Sequence, residues 1–242
     1  MVSAVLTTLK WVAIVLAALA AVLILGLVLV PPATRWFTDS WGATPAEVSA
    51  SLPGDDLFPA RREVSTKAIT IDAPRATVYA LIQQMGQHRG GWYGWDWFYN
   101  ATGSSDFVDG HYSTRVVPEL QDVKVGDKIN INDVVAYTVV RADPGKTFVL
   151  AAGSLTPEQL ASRPLPATWT ENAMAFVLEP TADGSTRLIL RMRADGTETG
   201  FERWIWNGPL NFGGALFSRK TMVGVKRTAE ALSTTSARQE SN

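Results

Sequence analysis

Cysteine is absent from the 242 residues. That excludes disulfide frameworks, thiolate metal sites and a cysteine nucleophile. Histidine is nearly absent, with only His88 and His111, so a multi-histidine metal site is out of reach. Net charge is small too: 22 basic residues balance 23 acidic ones, which leaves no field to gather nucleic acid and no basic tail. Also missing are Gly-x-x-x-x-Gly-Lys, Gly-x-Gly-x-x-Gly after a strand, the Gly-x-Ser-x-Gly elbow and His-Glu-x-x-His. Each is the local device of a phosphate-binding, dinucleotide-binding, hydrolase or zinc-protease site. No cofactor or metal is implied.

The chain is rich in aromatic residues and in one long apolar run. Nine tryptophans supply broad apolar area with a polar handle, which suits pocket walls and interfacial anchors. Residues 11–30 contain no charge and no strongly polar group. As a helix they would extend ~30 Å, the thickness of a bilayer core. The run therefore reads as a transmembrane anchor. The rival is a cleaved signal peptide, whose apolar stretch is ~7–15 residues long and ends at a small-residue cleavage site. Here Ala18-Leu19-Ala20 lies inside the run.

The predicted organisation is an anchor over 1–30, a tether and entry segment over 31–66, a folded domain over 67–232 and a disordered tail over 233–242. Lys10 and Arg35 nearly balance across the apolar run, so orientation is weakly coded. The lack of a basic cluster after it favours a single-pass protein with its domain on the extracytoplasmic side. Trp36, Phe37 and Trp41 suit either the headgroup level or packing on the domain.

Within the domain, residues 67–71 alternate and are β-branched, which predicts a strand. Asp72-Ala73-Pro74 marks a helix entry, and Val78, Leu81, Ile82 and Met85 follow at helical spacing. Six aromatics between Trp92 and Tyr99 fall in an irregular segment that reads as short helices or a loop. The period then becomes two. Asp143-Pro144-Gly145 reads as a hairpin turn. Met174, Phe176 and Leu178 alternate on one strand, and Leu188, Leu190 and Met192 on its partner. Arg187, Arg191 and Arg193 share the other face, which reads as a half-solvated antiparallel sheet. Ala215, Ser218, Met222, Val225, Ala229 and Leu232 form the stripe of a long closing helix. Arg219, Lys220, Lys226 and Arg227 lie on its other side and suit either solvent or anionic headgroups.

This order describes an α+β helix-grip fold: a curved antiparallel sheet wrapped around a long C-terminal helix, preceded by the one transmembrane helix. Three stretches carry a family resemblance: Thr66-Lys-Ala-Ile-Thr-Ile-Asp-Ala-Pro-Arg-Ala-Thr-Val-Tyr79, Gln84-Met-Gly-Gln-His-Arg-Gly-Gly-Trp-Tyr-Gly-Trp-Asp96, and Ser218-Arg-Lys-Thr-Met-Val-Gly-Val-Lys-Arg-Thr-Ala-Glu230. They resemble the SRPBCC superfamily, which includes START-like and polyketide-cyclase-like proteins, over roughly residues 53–232. The resemblance implies an internal cavity for lipids, sterols, polyketides or other apolar molecules, and only some members catalyse. A shared fold does not transfer an activity.

The candidate pocket wall comprises Trp92, Tyr93, Trp95, Tyr137, Trp169, Met174 and Phe176, each of which also suits a filled core. Asp96, His111 and Arg115 are candidate polar contacts. Brought together, a carboxylate and an imidazole could support acid–base chemistry of the cyclase kind. Three functions stay open: a membrane-tethered binder or carrier of an apolar small molecule or lipid, a cyclase-like enzyme, and an interaction module with a filled core. Nucleic acid is not an expected partner, and oligomeric state is not coded.

Overall fold

The computed structural model describes residues 2–57, 63–153 and 167–240. Its chain order is helix α1 (Val2–Ala33), α2 (Arg35–Ser40), α3 (Pro45–Ser49), strand β1 (Glu63–Ile71), α4 (Arg75–Gln83) and α5 (Asp96–Ala101). Strands β2 (Lys128–Asn130), β3 (Ala136–Asp143), β4 (Thr147–Gly153), β5 (Thr170–Pro180) and β6 (Thr186–Gly196) follow. The chain closes with α6 (Gly200–Ile205), a π-helical turn at Trp206–Leu210, and α7 (Asn211–Glu240). The six strands form one antiparallel sheet in the order β1-β6-β5-β4-β3-β2. A curved antiparallel sheet with a long C-terminal helix is a helix-grip-like arrangement, and the α+β expectation is met at that level.

The membrane-spanning reading of residues 11–30 is corrected. Among the described residues no helix is long and apolar enough to cross a membrane. The single-pass membrane location and the extracytoplasmic placement drawn from that run fall with it.

Alternation fixes which face of the sheet each residue serves. Ile71, Phe148, Leu150, Phe176, Leu178, Leu188 and Leu190 point inward, where they join Val78, Leu81 and Ile82 of α4 and Met222, Val225 and Ala229 of α7 in the main core. The expected stripe on the closing helix is therefore the buried one. The helix continues past Leu232 to Glu240 instead of ending in a disordered tail. Ser233, Thr234, Thr235 and Ser236 each return a hydroxyl hydrogen bond to the carbonyl four residues back, so these polar side chains are satisfied within the helix.

The arginine-bearing face of β6 is covered, not half-solvated. Residues 41–57 lie across it, started by a capping box in which Thr44 and Glu47 satisfy each other's backbone N–H groups. Arg187 donates to Glu47 at 2.7 and 2.9 Å and to the Gly42 carbonyl at 2.7 Å. Its guanidinium holds the Glu47 carboxyl down at about 2. Arg191 donates to the carbonyls of Glu47, Val48 and Ala50 and to Asp55 Oδ2 at 2.8 Å. Arg193 meets Asp55 Oδ1 at 2.6 Å. The side chains of Arg191, Arg193 and Asp55 are only 3%, 6% and 7% exposed.

A buried carboxylate between two buried guanidinium groups cannot be removed cheaply, because it leaves uncompensated charge. Asp55→Asn is expected to destabilise the fold by about 3–5 kcal/mol, read from the urea unfolding midpoint. A loss below about 1 kcal/mol would mean that the arginines reach water when Asp55 is neutralised.

Candidate functional site

Between sheet and α7 the inner residues change size along the strands. One cross-strand row runs Lys67, Leu190, Phe176, Phe148, and apart from its lysine it is bulky and apolar. The next runs Ser65, Met192, Met174, Leu150. The row after that is Glu63, Ala194, Asn172, Ala152, and beyond it Gly196 faces Thr170. Helix α7 tapers in the same direction, from Val225 and Met222 to Ala215, Gly214 and Gly213. Where both layers carry small side chains they cannot meet, and a cavity of about 340 Å³ remains. That lies within the ~300–1,000 Å³ of ligand-holding pockets.

The sheet side of the cavity comprises Ser65, Lys67, Tyr137, Asn172, Met192 and Ala194. Trp206 and Leu210 of the π turn, with Gly214 and Ala215 of α7, form the opposite side. Asp39 of α2 and Arg203 of α6 complete the boundary. Arg203 and Glu63 approach to 4.0 Å with half-exposed side chains, so they mark the rim. Burial pushes the Tyr137 phenol up to about 12.

Lys67 is the unusual group. It shares strand parity with Ile69 and Ile71, so its side chain enters the apolar face, and the residue is 1% exposed. Its Nζ donates to Ser65 Oγ at 3.0 Å. Burial lowers its pKa to about 8, against the attraction of Asp39, which acts to raise it.

The ten residues singled out from sequence are placed differently from one another. Tyr137 lies on the cavity wall. Met174 is half-buried opposite Met192. Phe176, Trp92 and Tyr93 belong to the main core. Trp169 precedes β5, where its N–H donates to Thr197 Oγ1 at 3.0 Å. Trp95 sets its edge against Phe217 of α7 at 5.1 Å.

The segment holding Trp92, Tyr93 and Trp95 comes this close to α7 because of Gly224. A Cβ there would lie 2.2 Å from the Tyr93 carbonyl oxygen. Thr221 Oγ1 donates to the Trp92 carbonyl at 2.8 Å. Tyr93, held at a positive φ of 55°, accepts from Gln84 Nε2 at 2.8 Å, and burial pushes its phenol well up.

The polar trio does not assemble. Asp96 opens α5 and acts on Tyr99. His111 is exposed, with Nδ1 2.8 Å from the Tyr112 carbonyl. Arg115 donates to Asp109 at 2.9 Å. His111 and Arg115 share the neighbourhood of Asp109, whereas Asp96 belongs with Tyr99 on α5. Among the described residues no cluster of three or more His, Asp or Glu could hold a metal.

Sequence reading missed Lys67, Met192, Gly214 and Ala215 as wall residues. The signal for Lys67 was present in the period-two register with Ile69 and Ile71. The wall formed by α7 depends on which end of the helix meets the small-residue rows, and only the tertiary arrangement supplies that.

No protein-family model matches the chain, and no curated protein matches it. Solved structures show distant likeness. Protein MLL2253 from Mesorhizobium loti is 15% identical, with 69% of this chain and 96% of that chain covered and a TM-score of 0.38. The hypothetical protein jhp0584 from Helicobacter pylori is 9% identical, covers 74% and 91%, and has a TM-score of 0.41. The Aha1 dimer from Colwellia psychrerythraea is 15% identical, covers 70% and 97%, and has a TM-score of 0.32. Likenesses of this size carry no functional argument, so the site is read from its own geometry.

A buried lysine with a lowered pKa opposes folding wherever it is charged in both states. Below about pH 8 the penalty is complete. Between about 8 and the ordinary 10.5 the folded protein releases the proton before the unfolded chain does, and stability rises with pH. Lys67→Met is therefore expected to stabilise the fold at pH 7, by on the order of 3 kcal/mol at most. The gain should fade as pH approaches 10.5. Chemical unfolding at pH 7 and pH 10 measures it, and a pH-independent difference would mean that Lys67 is solvated in solution.

Proposed function

We propose that this chain binds an apolar small molecule in the cavity between its sheet and α7. The observation that carries the proposal is the cavity of about 340 Å³, which arises where both layers carry small residues. Water held loosely against apolar walls is readily displaced by an apolar group, and its release favours binding. Walls that are mostly apolar, with polar groups such as Lys67 and Asn172 set among them, are the general character of a small-molecule site. The resemblance of residues 53–232 to the SRPBCC superfamily supports the same reading, as does the helix-grip-like arrangement. Tyr137, Met192 and Ala215 are proposed to contact the ligand. Met174 is proposed as a second-row contact behind Met192, and the Trp92–Trp95 segment as the scaffold that fixes α7.

Binding without turnover fits the arrangement better than cyclase-like chemistry, since Asp96, His111 and Arg115 are not gathered around one space. Gly214 offers a direct test. A Cβ at this position meets nothing within 4 Å, and the residue lines the cavity. Gly214→Leu should fill the void without a clash, and it replaces a poor helix former by a good one, worth about 0.5–1 kcal/mol. The expected result is unchanged or higher thermal stability. Uptake of an apolar fluorescent dye should fall at least about tenfold, the drop expected when ~1.4 kcal/mol of cavity contacts is lost. Native mass spectrometry of the full chain should show any co-purified ligand disappearing in the variant. Undiminished dye uptake by Gly214→Leu would overturn the assignment of this cavity.

A further inference from the structure

We infer that the cavity takes an apolar carboxylic acid, with its carboxylate on the Lys67 ammonium and its chain along Met192, Tyr137 and Ala215. This deepens, and rests on, the cavity-binding reading above.

An ammonium has three N–H donors and no acceptor. Lys67 gives one to Ser65 Oγ at 3.0 Å. Among the described residues no carboxylate reaches it at ion-pair distance, and Asp39 acts on it only through longer-range attraction. A charge on a residue 1% exposed, with one neutral hydrogen bond, is costly unless an anion completes its shell. Lys67 lines a space large enough to deliver such a group.

The other charged groups around the cavity are paired, hydrogen-bonded or half-exposed to water. Glu63 approaches Arg203. Glu198 accepts from the Thr170 hydroxyl. Asp39 accepts from Thr38 Oγ1 at 2.7 Å, and Asp195 from the Gly196 N–H at 2.9 Å. Arg193 lies on the far face of the sheet with Asp55. Lys67 is thus the buried cation of the lining with donors left to give, and it sits at the inner end of the cavity while Glu63 and the half-exposed Arg203 mark the rim. An amphiphile with one acidic end and an apolar body matches that polarity, and a neutral hydrocarbon or an amine does not.

The test compares octanoate with 1-octanol by isothermal titration of the full chain and of Lys67→Met. The acid should bind the unaltered protein about tenfold or more tightly than the alcohol, as a charge-assisted hydrogen bond would supply. K67M should lose that preference while keeping its affinity for the alcohol. Lys67→Gln, which keeps a donor without the charge, should behave as K67M does, and it replaces K67M if that variant does not fold. Equal binding of acid and alcohol by the unaltered protein would overturn the acid assignment and leave the apolar cavity standing. An acid preference that survives in both variants would overturn it equally. Binding of neither probe would overturn both readings.

Discussion

Asp55 lies between Arg191 and Arg193 on a face of the sheet that would otherwise meet water. The carboxylate offsets both guanidinium groups in a setting where any one of the three alone would be intolerable. Their arrangement presses residues 41–57 onto β6 and turns a one-faced sheet into a two-faced one. Ala68, Val177 and Ile189 gain cover from Leu52 in consequence. The inner face is then not the only source of apolar burial. It can carry an unfilled region at one end because order on the outer face is secured separately.

That hollow end is a graded feature of both layers, not a defect at one position. Strand rows pass from Phe148 and Phe176 to Ala194 and Gly196, while α7 passes from Met222 to Gly214. Ser218 marks the transition: its hydroxyl donates to the Gly214 carbonyl at 2.8 Å and touches Met192 Sδ at 3.2 Å. The filled half holds the fold, and the tapering half leaves room. A lysine is placed where the two halves meet. Its burial costs stability, and groups held at such a cost cluster at functional sites.

Periodicity in the sequence was enough to place β4, β5, β6 and the buried stripe of α7, because each depends on residues two to four apart. It misjudged features that depend on distant partners. Arginines on alternate positions of β6 resembled a solvated face, and only Asp55, some 136 residues earlier, shows otherwise. Trp92, Tyr93 and Trp95 in the aromatic cluster resembled a pocket wall. Its Trp92 and Tyr93 became core because Gly224, far along the chain, lets α7 approach the Tyr93 backbone. Lys67 was legible by parity alone, but its significance needed the taper of the neighbouring rows. The apolar run over 11–30 had the composition of a membrane span, and composition does not establish one.

Gly42 has a consequence beyond the site. Its φ of 70° and its contact with β1, where a Cβ would meet the Ala68 carbonyl at 2.2 Å, let the Trp41 carbonyl accept the Ala68 N–H at 3.1 Å. One N–H at the middle of the free edge of β1 is thereby occupied by its own chain. At the opposite end β2 offers only three residues, Lys128–Asn130. An edge strand exposes unpaired backbone groups that recruit other chains. Here the middle of one edge is occupied and the other ends in a three-residue strand, so the turn at Trp41 and Gly42 also stands in the way of a further strand pairing along β1.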